Sequence, residues 1–179
     1  MVNLTTEQIE SVVIDSGMVY LNYGEVDEKD LAPLKGGSSF IVEQEIKDVE
    51  YDGMRGKTKG MRRVVTENAY ATVNLMGLTQ ENIKLAIAGA KVEATTLAIT
   101  NGTGKIAETE YVKNITIIAK TLGDKYKVIT LYNALSDNGF SIAMTDKEES
   151  VVELQLSAHY DPLNLTSPIY KIEELDALV

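Results

Sequence analysis

A two-residue alternation of apolar and polar side chains, repeated in short runs, limits this chain to few folds. It is clearest in residues 150–161, where Val152, Leu154, Leu156 and Ala158 alternate with Glu153, Gln155, Ser157 and His159. A period of two is the side-chain repeat of a β-strand with one buried face. We therefore expect strands within residues 18–23, 38–51, 64–77, 111–121, 125–135, 139–144 and 150–161.

Helical patterns are few. Thr5 and Gln8 form a capping-box pattern that predicts a short helix through about Val13. Thr79 and Gly89 suit the start and end of a second helix within residues 78–91. Its apolar stripe is predicted to be Ile83, Ala86, Ile87 and Ala90.

Because no strand–helix–strand alternation runs through the chain, its order predicts a mainly β fold. We expect an antiparallel β-sandwich or barrel with one flanking α-helix and a long hairpin loop. The length fits a single domain over residues 1–179, with segments 1–16 and 161–179 as candidate arms. Residues 165–179 are predicted to be exposed and to end in a helical turn.

The amino-acid composition excludes several classes of function. The chain has no cysteine and one histidine, His159, and it carries a formal net charge of −10. Thiolate chemistry and multi-histidine metal sites are therefore excluded, and an acidic chain repels nucleic acid overall. We expect neither enzymatic activity nor a cofactor or metal. Since the N-terminus has no signal-peptide pattern and no apolar run could span a bilayer, we also expect cytoplasmic synthesis and no membrane binding.

One loop departs from the acidic character of the chain. Residues 52–63, DGMRGKTKGMRR, hold five cations between two predicted strands: Arg55, Lys57, Lys59, Arg62 and Arg63. A phosphate-binding P-loop would need glycine where Tyr51 stands, and it would lead into a helix. The remaining interpretations are a solvated tip, a phosphate contact, or docking on acidic stretches of another copy at 25–30, 43–50 and 146–149.

The two strands that flank this loop each have a polar face. The earlier strand carries Glu43 and Glu45, and the later one carries Asn68, Thr72 and Asn74 opposite an apolar face. Such faces could line a water-filled channel, as in large barrels, or they could form an ordinary solvated sheet surface. Both interpretations remain open from the residues alone.

Three stretches together carry a family resemblance: VYLNYGE, LKGGSSFIVEQEIKDVEYDGMRGKTKGMRRVV and ATVNL. The succession resembles the major tail tube proteins of long-tailed bacteriophages and related prophage particles, best over residues 12–76. The resemblance implies a β-sandwich-like subunit with a flanking helix. It also implies rings of six that stack into a hollow tube, with four strands of each subunit in a shared inner barrel. The loop at 52–63 would then reach a neighbouring ring.

A tube subunit of this kind is a structural protein of the virion tail, and DNA passes through it transiently. Its expected partners are further copies of itself and a tape measure protein, and the sequence leaves open whether a sheath surrounds the tube. Two alternatives stay open as well. One is a monomeric β-sandwich binding module for carbohydrate or a host surface, and the other is a type VI secretion-like tube that delivers effectors.

Overall fold

The computed structural model describes residues 3–15, 17–102 and 104–178. Its two α-helices are α1 (Thr6–Glu10) and α2 (Gln80–Ala86), and a 3-10 turn spans Glu108–Glu110. Its strands are β1 (Met18–Leu21), β2 (Lys29–Asp30), β3 (Leu34–Asp48), β4 (Arg62–Leu75), β5 (Lys91–Val92), β6 (Ile99–Thr100), β7 (Val112–Lys120), β8 (Tyr126–Ser136), β9 (Val152–Ser157) and β10 (Tyr170–Leu175).

Eight of these strands pair antiparallel in two halves that share β8, and β5 and β6 form a separate two-stranded sheet. One half has β2, β1, β7 and β8 in that order, with β10 on the other edge of β8, and the second half runs β3, β4, β9, β8. Buried residues of both halves, such as Val19 and Ile117 from one and Val73 and Leu154 from the other, form a single cluster. The two halves therefore pack face to face as a sandwich, and the described residues form no closed barrel.

This architecture confirms the predicted fold class of a mainly β antiparallel sandwich with a helix and a long hairpin. The apolar face of β4 lies where the alternation predicts, because Ala69, Ala71, Val73 and Leu75 are all 1% exposed or less. Strands β7 and β8 are joined by a tight turn, as predicted, with Asp124 in a left-handed conformation (φ 60°).

The helices begin where their caps predict, but they are shorter. The Thr5–Gln8 capping box forms in both directions, yet α1 ends at Glu10. In α2 the Thr79 hydroxyl accepts the Asn82 backbone N–H, and the helix ends at Ala86. Of the predicted stripe, Ala86 and Ala90 are buried, whereas Ile83 and Ile87 are half-buried. Asn82 is buried in addition, and its side-chain amide donates to the Gly77 carbonyl oxygen at 2.9 Å.

Two predicted elements are wrong. Residues 139–144 form no strand, since Gly139 adopts a positive φ of 73° and Met144 is 80% exposed. Residues 170–175, expected in an exposed tail, form β10 instead of a helical turn, because they pair with β8 beside the buried Ile169. Of the predicted arms, residues 1, 2, 16 and 179 lie outside the described residues.

Candidate assembly surface

The β3–β4 hairpin projects beyond the rest of the sandwich. Pairing of β4 with β9 ends at Tyr70, and β4 continues for eight residues to Arg62, a length of about 26 Å. Over the outer part, residues 43–47 and 62–66 are all exposed. The register shifts between Glu45 and Ile46, where a bulge places one extra residue on β4. The hairpin is therefore an extension that the sandwich itself does not cover.

The outer edge of β3 has no partner strand within the described residues. β3 is 15 residues long and ends the strand order of its half, with β4 on its other side. A long edge strand presents unpaired N–H and C=O groups, and monomeric proteins normally shorten or cover such edges. Here it stays open over the full projecting hairpin, which is the geometry of a surface that pairs with another strand.

All five predicted channel residues lie on one face of the sheet. Glu43 pairs with Asn68, and Glu45 pairs with Thr66, whose hydroxyl donates to the Glu45 carboxylate at 3.1 Å. Thr72 and Asn74 follow Asn68 at two-residue steps on the same face of β4. The structure thus brings together Glu43, Glu45, Asn68, Thr72 and Asn74 on the face opposite the buried core.

The same face includes residues that the sequence did not single out for this role. Thr72 pairs with Gln155 and Asn74 pairs with Glu153 on β9. Within the hairpin, Ile41 of β3 pairs with Tyr70 of β4 on this same face. The alternation in 150–161 already grouped Gln155 and Glu153 on a polar face. Only the pairing of β9 with β4 shows that this face continues the face of the hairpin.

The inner part of the hairpin is anchored on its core side. The Phe40 and Tyr170 rings lie 5.6 Å apart, and the Tyr170 hydroxyl donates to the Glu67 carboxylate at 2.8 Å. This hydrogen bond raises the pKa of Tyr170 because it stabilises the protonated phenol beside a negative charge. Through Tyr170, β10 therefore holds the inner part of the hairpin, and within the described residues no hydrogen bond or ion pair joins the sandwich to the hairpin beyond Glu67.

The hairpin tip, residues 49–63, is ordered by backbone turns. The Val49 N–H donates to Met61 at 2.7 Å, and the Met54 N–H donates to Tyr51 at 3.1 Å. Among the five predicted contact residues, Arg55, Lys57, Lys59 and Arg63 are exposed and have no ion-pair partner in the described residues; Arg62 differs because it donates to Asp48 at 2.7 Å. The tip thus presents four cations that nothing in the described chain neutralises.

His159 makes local contacts just beyond the end of β9. Its Nδ1 lies 3.1 Å from the Asn133 carbonyl oxygen, and its ring meets Tyr111 edge-on at 5.1 Å between centroids. The nearby Ser157 hydroxyl donates to Asp137 at 2.7 Å, so it is not activated by the imidazole. The described residues hold no cluster of three or more His, Cys, Asp or Glu side chains suited to a metal ion. No helix among them could cross a membrane.

No protein-family model matches the chain, and no curated protein matches it. Among the solved structures that are similar to it are two that match over 89% of this chain and 96% of theirs, at 11% identity. One is from the virion of a native gene transfer agent particle, with a TM-score of 0.47. The other is from the tail of an empty particle of that kind with C6 symmetry, with a TM-score of 0.40.

Proposed function

We propose that this protein is the structural subunit of a phage-tail-like tube, in which six copies form a ring and rings stack around a channel for DNA. One observation carries the proposal: the edge of β3 is open along its 15 residues and belongs to a sheet whose outward face is polar. Pairing β3 with a strand of a neighbouring copy would satisfy that edge and continue the polar face from subunit to subunit.

The dimensions of such a tube are consistent with its cargo. The half of the sandwich that contains the hairpin has four strands, β3, β4, β9 and β8. Six copies supply 24 strands, and at about 4.8 Å spacing and roughly 45° tilt the wall has a circumference of about 160 Å. The diameter is then about 50 Å, and side chains reduce the channel to about 40 Å. A DNA duplex fits within that width.

In this tube Glu43, Glu45, Asn68, Thr72 and Asn74 would line the lumen. Cations in a DNA channel add affinity for each phosphate that they neutralise, whereas carboxylates and neutral polar groups add none. On β3 this face has Glu43 and Glu45 against one cation, Lys47, and it therefore gives DNA little to bind. Glu153 on β9 adds a further carboxylate to the same face.

Stacking requires a second contact, for which Arg55, Lys57, Lys59, Arg62 and Arg63 are the proposed residues. Rings stack without limit only through a heterologous head-to-tail contact, in which one surface meets a different surface of the next copy. A cationic tip on a projecting hairpin has both the reach and the charge for such a contact in an acidic protein. In the virion a tape measure protein would occupy the lumen of the tail during assembly.

The test is self-assembly of the purified chain. Concentrated at moderate salt, it should give rings and hollow rods with a channel of about 40 Å in negative-stain electron micrographs. Sedimentation should show a concentration-dependent shift from monomer to large species. A sharp monomer at every concentration, even with preassembled tail tips as seeds, contradicts the proposal and favours a monomeric binding module.

A further inference from the structure

The hairpin has a defined base end, which lies far from its cationic tip. β4 runs from Arg62 at the tip to Leu75, a length of about 43 Å. Leu75 pairs with Val152, the first residue of β9, so the loop before β9 lies at this base end. Lys35, at the start of β3, pairs with Glu149 of that loop at 2.8 Å. The acidic stretch 146–149 is therefore held at the opposite end of the hairpin from the tip.

Two more acidic segments lie beside α2, which begins five residues after β4 ends. Lys29 of the stretch 25–30 pairs with Glu81 in the first turn of α2, and Lys84 of α2 pairs with Glu110. Asp27, Glu81 and Glu108 line one cleft of about 570 Å³ together with neighbouring residues of α2 and β7. We define the acidic end as segments 25–30, 108–110 and 146–149.

The acidic end carries a large excess of negative charge. Its three segments contain nine acidic residues and two lysines. Lys35, Lys84 and Lys113 reach in from elsewhere, and by hydrogen bonding Lys113 lowers the pKa of Asp27 while Lys35 lowers that of Glu149. Five acidic residues of these segments have no ion-pair partner among the described residues: Glu28, Asp30, Glu108, Asp146 and Glu148.

The tip has the opposite charge, with five cations and two carboxylates over residues 49–63. The subunit is therefore polarised along the hairpin, positive at one end and negative at the other. The third acidic stretch, with Glu43 and Glu45, lies on the projecting hairpin itself and belongs to its polar face. We assign Glu43 and Glu45 to the proposed lumen, which leaves the stretches at 25–30 and 146–149 as candidates for the surface that receives the tip.

We propose that the hairpin tip of one copy docks on the acidic end of a second copy, with Arg55, Lys57 and Lys59 facing Glu108, Asp146 and Glu148. This inference rests on the proposed tube and names the surface that receives the tip. About 43 Å of hairpin separates the two surfaces within one chain, so the contact forms between copies. Because donor and acceptor lie at opposite ends, a docked pair of copies still offers one free tip and one free acidic end, and the stack extends with a single polarity.

Three double variants test the contact. The tip variant combines Lys57→Glu with Lys59→Glu, and the acidic-end variant combines Asp146→Lys with Glu148→Lys. The control variant combines Asp15→Lys with Glu93→Lys, which reverses two exposed acids outside the acidic end that have no ion pair within the described residues. Each replaces exposed side chains, so circular dichroism spectra and melting temperatures should match the wild type closely.

The tip variant and the acidic-end variant should each raise the critical concentration for rods at least tenfold. Each of them alone places like charges in contact, and every 1.4 kcal/mol of repulsion is a factor of ten. Mixed in equal amounts they should form rods again within about threefold of the wild-type concentration. In the mixture, each acidic tip meets a basic end, and each basic tip meets an acidic end.

The outcomes separate the docking surface from the tube itself. The docking surface is wrong if the acidic-end variant forms rods at the wild-type concentration, or if the mixture stays unassembled. In both cases the tube proposal still stands when the wild-type chain forms rods. If the control variant loses assembly as strongly as the acidic-end variant, the effect is one of net charge, and the docking surface is overturned as well. Failure of the wild-type chain to form rods overturns the tube. If the tip variant forms rods like the wild type but its rods retain less DNA, the tip binds nucleic acid and the docking surface is wrong.

Discussion

Two glycines show how much a single residue depends on its surroundings. Gly17 and Gly24 have nearly the same backbone conformation, with φ of 77° and 78°. A Cβ at Gly17 would lie 2.1 Å from the Ile118 carbonyl oxygen, because the chain enters β1 there against β7. At Gly24 a Cβ would meet nothing within 4 Å. Both glycines have a positive φ, and they differ only in the space available for a Cβ atom.

We therefore expect Gly17→Ala to destabilise the protein much more than Gly24→Ala. The left-handed conformation alone costs an alanine about 1 kcal/mol, which both variants lose. At Gly17 the backbone must also move away from β7, for a total of about 3 kcal/mol or more. Urea unfolding of the two variants measures the difference. If both variants lose the same free energy of unfolding, the chain at Gly17 is not in close contact with β7.

At the scale of elements, β10 decides how the hairpin and the first half of the sandwich are joined. It pairs with β8 over six residues and supplies Tyr170, which contacts Phe40 and Glu67 of the hairpin. Near its other end Glu174 accepts hydrogen bonds from Lys127 and, at 3.0 Å, from Lys125. These two lysines lower the pKa of Glu174, with Lys127 contributing most.

The pH dependence of that contact has a definite sign. A carboxyl whose pKa is lower in the folded protein stabilises the fold above its unfolded pKa, about 4.3 for glutamate, and loses this effect as pH falls through its folded value. Glu174→Gln should thus lower the melting temperature at pH 7, and the difference from wild type should shrink below about pH 4. Glu153→Gln, on an exposed position without an ion pair in the described chain, should show no such trend. A difference that grows on acidification would contradict the assignment.

For the whole molecule, the open edge of β3 predicts a difference between the free and assembled protein. In antiparallel pairing every second residue of an edge strand directs its N–H away from its neighbour. Amide hydrogen exchange over residues 39–45 of the monomer should therefore alternate between protected and unprotected positions. In assembled rods the whole segment should be protected, since the outward groups gain partners.

Exchange measured at single-residue resolution, with rods dissociated after labelling, checks this prediction. Residues 115–118 of β7, paired on both sides within one subunit, serve as the internal control and should be protected in both states. If the alternation over 39–45 persists in rods, β3 is not the strand that joins subunits, even when assembly itself occurs.

The sequence by itself determined the features that depend on near neighbours. A two-residue period assigned the faces of β4 correctly, from Ala69 to Leu75, because alternation needs no knowledge of the partner strand. The helix caps at Thr5 and Thr79 were also predictable, because a cap depends only on residues a few positions away. The hairpin and its five cations were read directly from residues 38–77. The lumen and docking roles of these residues stay predictions.

Only the tertiary structure decided what depends on distant pairing. The segment 170–175 is a strand because β8 offers it an edge, and its charged sequence had suggested an exposed tail. Asn82 lies outside the predicted apolar stripe of α2, yet it is buried, and its side chain donates to the Gly77 carbonyl oxygen. The register that pairs Leu75 with Val152 puts the acidic stretch 146–149 opposite the tip. Hydrogen bonding between remote strands is cooperative and long-range, and local residue patterns do not encode which edges meet.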